Sequence, residues 1–151
     1  MINRRIKKFL FALTTVMLLI VAGCSSGTEP PEAIVKINDD TIETSKGTYQ
    51  WETQRLLSKK VRNADAAAPS EIAKKMKVKI VPQGSTANIE FSDNSEPELN
   101  VYSWKGEERT KELPLKQNQL TLPSQVGRYV IEIFARWSNG DASYTFVVEI
   151  Q

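Results

Sequence analysis

The chain has no histidine and only one cysteine in 151 residues. The first absence removes the side chain whose ordinary pKa lies nearest neutrality. Ser-His-Asp and Cys-His nucleophile activation go with it, as does the commonest zinc ligand. The second excludes an internal disulfide and every paired-cysteine metal or redox motif. The 7 glycines are scattered, and none frames a phosphate-cradling loop. Charge of one sign is not in excess either, with 20 lysines and arginines against 18 acids. The one long apolar run, residues 9–22, is shorter than the roughly 20 residues a membrane-spanning helix needs.

That run belongs to an export signal. Arg4, Arg5, Lys7 and Lys8 precede it, and Val21-Ala22-Gly23-Cys24 closes it, in the basic, apolar, small-residue order of a secretory leader. The closing tetrad resembles a bacterial lipobox. The resemblance implies cleavage before Cys24 and a diacylglyceryl group on its sulfur, with residues 1–23 as a lipoprotein signal peptide. An uncleaved anchor with an incidental cysteine is the alternative.

On the lipobox reading, removing 23 of the 151 residues leaves 128, enough for one domain with its own core. Four cations leave with the signal, so 16 basic residues face 18 acidic ones in the mature chain. The basic balance of the whole sequence is then a property of the leader, and nucleic acid is not an expected partner. Two acyl chains on one cysteine hold a protein firmly to a bilayer. The expected location is the cell membrane, lipid-anchored, on the extracytoplasmic face.

Residues 24–32 read as a lipid-anchored flexible tether, because small polar residues and Pro30-Pro31 bury too little surface to order themselves. Residues 33–151 read as a β-sandwich in three parts. In residues 33–52, Ile34, Val35 and Ile37 run to the turn cluster Asn38-Asp39-Asp40, and a strand returns from Thr41. Lys46-Gly47 reads as a second turn, leading into Tyr49 and Trp51 on one face. That pair either caps the open end of the core or presents exposed rings to a carbohydrate or peptide.

Residues 53–75 lack alternation and read as a long connecting loop with at most one helical turn. Arg55, Lys59, Lys60 and Arg62 make it basic. It is either a partner-binding loop or a solvated crossover, or its positive charge faces anionic lipid headgroups or wall polymer. Together with Tyr49 and Trp51, these four residues are the candidate binding set.

Residues 76–151 carry the clearest β pattern. Short alternating runs end at Pro82-Gln83-Gly84, at 93–97 and at 105–109. The longest is a hairpin over 127–150. In it Tyr129, Ile131, Ile133, Ala135 and Trp137 alternate with Val130, Glu132, Phe134 and Arg136. On the return strand Ala142, Tyr144, Phe146, Val148 and Ile150 share a face. Asn139-Gly140 reads as a tight turn requiring positive φ. About seven or more short strands at this spacing predict an all-β, antiparallel sandwich.

The stretch Leu122-Pro-Ser-Gln-Val-Gly-Arg-Tyr129 is similar to the corner of immunoglobulin-like domains. The resemblance implies that the Tyr129 hydroxyl reaches back to the backbone, and that Trp104 is the core tryptophan. No cysteine pair is present, and Ile131 with Ile89 or Phe91 would fill its place. The whole resembles small envelope lipoproteins of Gram-positive bacteria.

No catalytic constellation is framed by the sequence. Asp39, Asp40 and Glu43 gather at one turn, and Asp93, Glu96 and Glu98 at another, without the spacing of a calcium loop. The expectation is a non-catalytic binding or adaptor module for an envelope protein or cell-wall polymer, needing no cofactor or metal. The alternative is an enzyme with a noncanonical carboxylate or Ser-Lys site.

Overall fold

Period-two alternation over short segments produces strands, and these strands stack as two sheets that bury their apolar faces against each other. A computed structural model describes residues 27–151; Cys24 and the lipobox-like tetrad lie outside the described residues. The first sheet holds β1 (Ala33–Ile37), β2 (Asp40–Ile42), β6 (Thr86–Phe91), β9 (Leu115–Lys116) and β10 (Gln119–Thr121), in the order β2-β1-β6-β10-β9. The second has the order β4-β3-β12-β11-β7-β8. It is built from β3 (Ser45–Arg55), β4 (Ser58–Ala64), β7 (Glu98–Lys105), β8 (Glu108–Glu112), β11 (Gly127–Trp137) and β12 (Gly140–Ile150). A short β5 (Lys79–Val81) pairs in parallel with the last residues of β12.

The molecule is therefore an antiparallel β-sandwich. Its strand order also matches the immunoglobulin-like plan. Strands β1, β6, β10 and β9 take the positions of strands A, B, E and D, and β7, β11 and β12 those of C, F and G. The Tyr129 hydroxyl donates to the carbonyl of Gln125 at 3.0 Å, which is the corner bond expected of this residue. Val35, Ile89, Ile131, Ile133, Tyr144, Phe146 and Ile150 fill the core, with Phe91 beside them. Ile131, Ile89 and Phe91 belong to that one cluster, where antibody domains have their disulfide.

Four local expectations are corrected. The β11–β12 turn falls on Ser138-Asn139, because Trp137 pairs with Gly140, and Asn139 does not adopt positive φ. Gly140 does adopt positive φ, 157°, and the space around it is closed as well. A Cβ there would lie 2.2 Å from the carbonyl oxygen of Gln50, so β3 can pack this closely only against glycine. The turn with two positive φ residues is instead Asn38-Asp39, between β1 and β2.

Lys46-Gly47 is not a turn. The chain continues through it as β3, and Gly47 lies where two β3 residues oppose Ser143 in a bulge.

Trp104 is not in the core. Val101 and Ser103 take the inward positions of β7, so Trp104 stands half-buried on the outer face. Period two allows no other outcome once Val101 points in.

The segment read as a loop, 53–75, is largely regular. It holds the end of β3, all of β4 and the helix α1 (Pro69–Ala73). β4 is exposed on both faces, so it has no apolar alternation to betray it, and it forms by backbone pairing along β3.

Candidate functional site

Two surface features carry chemistry, and only one of them contains the candidate binding residues read from sequence. The first is the β3–β4 hairpin. Trp51 is buried at 4% exposure, stacks edge-on against Trp137 and donates its indole N–H to the carbonyl of Gly27 at 3.0 Å. Tyr49 is half-buried against the core. The two rings therefore close the end of the sandwich and are not presented to a ligand, which overturns the exposed-pair expectation.

The four basic candidates do lie together on the hairpin. Lys59 and Arg62 are exposed and paired, with Glu52 at 2.7 Å and with Glu29. Lys60 is exposed beside them on β4. Arg55 ends β3, and its side chain lies outside the described residues. At the turn, Leu56 and Leu57 are fully exposed, at 103% and 99%.

The residues read as a flexible tether behave otherwise from Gly27 on. Pro30 is buried. Lys46 donates its Nζ to the Pro30 carbonyl at 2.7 Å and pairs with Glu32 at 2.6 Å. Tyr144 donates its hydroxyl to the Pro31 carbonyl, and the backbone N–H of Glu32 donates to Ser92 Oγ. These contacts turn residues 27–32 into a strap along β3. Proline has no N–H to join a ladder, and here the two carbonyls accept from long side chains of β3 and β12.

The second feature is the outer face of β8, β7 and β11, which the sequence reading missed. Glu132 is 3% exposed, a carboxylate in the middle of a sheet face. It accepts the indole N–H of Trp104 at 2.7 Å and both arms of the Arg109 guanidinium, Nε at 2.8 Å and an Nη at 2.9 Å. The bidentate pair is the geometry in which a buried carboxylate is best compensated. It also holds the Arg109 guanidinium above its usual pKa, through the Glu132 bond first and against partial burial.

The Arg109 guanidinium carbon stands over the Tyr102 ring, 4.4 Å from its centroid, and that of Arg136 stands 5.6 Å from the Phe134 ring. Tyr102, Trp104 and Phe134 are each half-exposed. The result is a rigid aromatic and arginine platform, wired to one buried acid. A signal for it was present in the sequence, since Tyr102, Trp104, Glu132 and Phe134 share strand parity once the inward residues are fixed.

The turn acids are dispersed. Asp40 pairs with Lys79 at 2.6 Å, and Asp93 caps the backbone N–H of Ser95. Among the described residues no group of three acids, cysteines or histidines converges as a metal site would require. Pro97, Glu96, Asn88 and Glu90 border an open polar groove of about 980 Å³ on the outer side of the five-stranded sheet. No protein-family model, no curated protein and no solved structure matches this chain.

Proposed function

We propose that this chain is an extracytoplasmic lipoprotein held at the cell membrane through Cys24, and that its immunoglobulin-like domain is a non-catalytic binding module. Its partner is an envelope protein or a cell-wall polymer. The lipobox-like tetrad supports the anchored part of this reading. The observation that carries the binding part is the platform of Tyr102, Trp104 and Phe134, fixed by the Arg109–Glu132 pair. Side chains locked before binding lose little entropy on contact, and aromatic rings with arginine are the residues that dominate recognition surfaces.

The β7 and β11 strands are both interior to their sheet, each paired on two sides, so this face is backed by continuous ladders. The test is crosslinking in intact cells of full-length protein, with a photoreactive phenylalanine analogue at Phe134. A discrete adduct that disappears when Tyr102 and Trp104 are both replaced by serine supports the proposal. Adducts of unchanged pattern in that double variant would show that the face is not the contact. A protein recovered without lipid on Cys24 would remove the anchored part.

A further inference from the structure

The strap and the β3–β4 hairpin point the same way. Read backwards from residue 32, the strap passes Lys46 and Tyr144, then Arg62, and reaches Trp51 at Gly27. That is the direction in which β3 runs. The strap therefore delivers the chain to the end of the sandwich from which the hairpin projects. Cys24 lies three residues before Gly27, a reach of about 11 Å at full extension.

From the same rung, the turn leucines lie five residues further along β3, about 17 Å at strand rise. The hairpin thus extends at least as far as the anchor can. It does so alone. β12 pairs with β3 only up to Trp51 and Gly140, the N–H of Glu52 reaches Asn139, and beyond that β3 has no neighbour except β4. The acids of the 93–98 turn sit at the base, level with Trp137, which donates to Ser95. The hairpin carries its tip past them.

We propose that this hairpin is a second membrane contact. Leu56 and Leu57 enter the interfacial region of the leaflet that holds the Cys24 lipid, and Lys59 and Lys60 meet its anionic headgroups. The proposal rests on the anchored reading above. Lysines along an exposed edge strand also discourage edge-to-edge pairing, which accounts for Lys59 and Lys60 by itself. It does not account for two adjacent leucines fully in water at the end of a projecting ribbon. Between Glu52 and Arg62 four basic residues face one acid, the sign that complements an anionic leaflet. An apolar tip with cations behind it is the pattern of elements that lie in an interface. Such a contact would fix the orientation of the domain and aim the Tyr102, Trp104 and Phe134 platform sideways from the membrane normal.

The test uses the full chain with Leu57→Cys, purified from membranes after processing. Its intact mass first reports whether Cys24 carries lipid. An environment-sensitive fluorophore on position 57 is then read in vesicles of phosphatidylcholine with and without phosphatidylglycerol. Glu107→Cys, in the β7–β8 turn at the opposite end of the sheet, is the control. Position 57 is fully exposed, so the label does not threaten folding.

A blue shift and quenching by lipid spin-labelled near the headgroup are expected at 57 and not at 107. Both should weaken in neutral vesicles and in the K59Q/K60Q variant. Lipid on Cys24 with a label at 57 as solvent-exposed as that at 107 overturns the membrane contact while sparing the anchor. So does a shielded label that reports energy transfer between copies with no quenching by lipid, which would assign the tip to a second copy of the chain. A mass without lipid overturns the anchored reading itself.

Discussion

The hydroxyl of Tyr144 donates to the carbonyl of Pro31, 113 residues earlier in the chain, and ties the last strand to the strap that precedes the first. The Tyr144 ring is fully buried, and burial raises the phenol's pKa well above its ordinary 10, with the nearby carboxylates of Glu32 and Asp93 acting in the same direction. A raised folded-state pKa means that the stabilising contribution is complete below the unfolded value. It is lost as pH rises beyond it, because the unfolded chain then releases a proton that the folded chain keeps.

Stability should accordingly fall above pH 10, by up to about 1.4 kcal/mol for each further pH unit from this one group. Tyr144→Phe should lose about 1 kcal/mol near neutrality with the hydrogen bond. Its stability should also decline less steeply between about pH 10 and 11.5 than that of the parent. Urea unfolding at several pH values reads both effects. Equal slopes for the two proteins would place the Tyr144 hydroxyl in water.

Tyr129 makes a shorter-range bond of the same kind, to Gln125. Tyr129→Phe removes only that bond and should cost about 1 kcal/mol. Tyr129→Ala also removes the ring packed against the core and should cost about 3 kcal/mol. The ratio matters more than either number. If both variants lost the same stability in chemical unfolding, the corner bond would be the whole contribution of this residue.

Much of the fold was legible because its strands bury one face. Within residues 127–150 one side of each strand is apolar throughout, and the two strands form the central pair of the larger sheet. Tyr129 declared the corner through its neighbours. What could not be read has a common physical cause. β4 is solvated on both faces, so its seven residues carry no pattern, and its existence depends on the free edge of β3. The strap is made of residues that cannot form a core, and it is held by donors from Lys46, Trp51 and Tyr144, distant in sequence. Asn139-Gly140 has the composition of a tight turn, and only the glycine holds positive φ, at a point where Gln50 also approaches too closely for a Cβ. The candidate set was legible as charge, but its basic residues were misread as a loop; of the two alternatives for Tyr49 and Trp51, the core-capping one is the one the structure has.

The glycine reading is itself testable. Gly106→Ala places a methyl group in open space, and its only cost is the left-handed backbone at φ 61°, about 1–2 kcal/mol. Gly140→Ala meets the Gln50 carbonyl and the Trp51 ring and backbone, and one of the two strands must move. A loss of about 3 kcal/mol or more is expected, the upper end of overpacking costs, because the methyl group meets backbone and the residue also holds a positive φ of 157°. Thermal melts of the two single variants decide the matter. Similar, small losses in both would mean that β3 is free to yield at Gln50.

The platform on the outer face makes the most demanding prediction, because its parts are not interchangeable. Removing Arg109 leaves the Glu132 carboxylate, almost wholly out of water, with only the Trp104 N–H. Half-broken buried pairs are costly. Arg109→Ala should therefore destabilise the domain by about 2–4 kcal/mol, with the lower end favoured because Arg109 itself is partly solvated. Arg109→Lys keeps the charge but not the fork, so it cannot serve both carboxylate oxygens or offer Tyr102 a planar cation, and it should recover less than half of the loss. Glu132→Gln keeps shape and removes the ion, leaving Arg109 able to turn to solvent, and should cost less than Arg109→Ala. The order expected in chemical unfolding is parent, then Glu132→Gln, then Arg109→Lys, then Arg109→Ala. If lysine restored full stability, the guanidinium would be acting as a point charge, and the bidentate bond could not be what holds the aromatic face rigid.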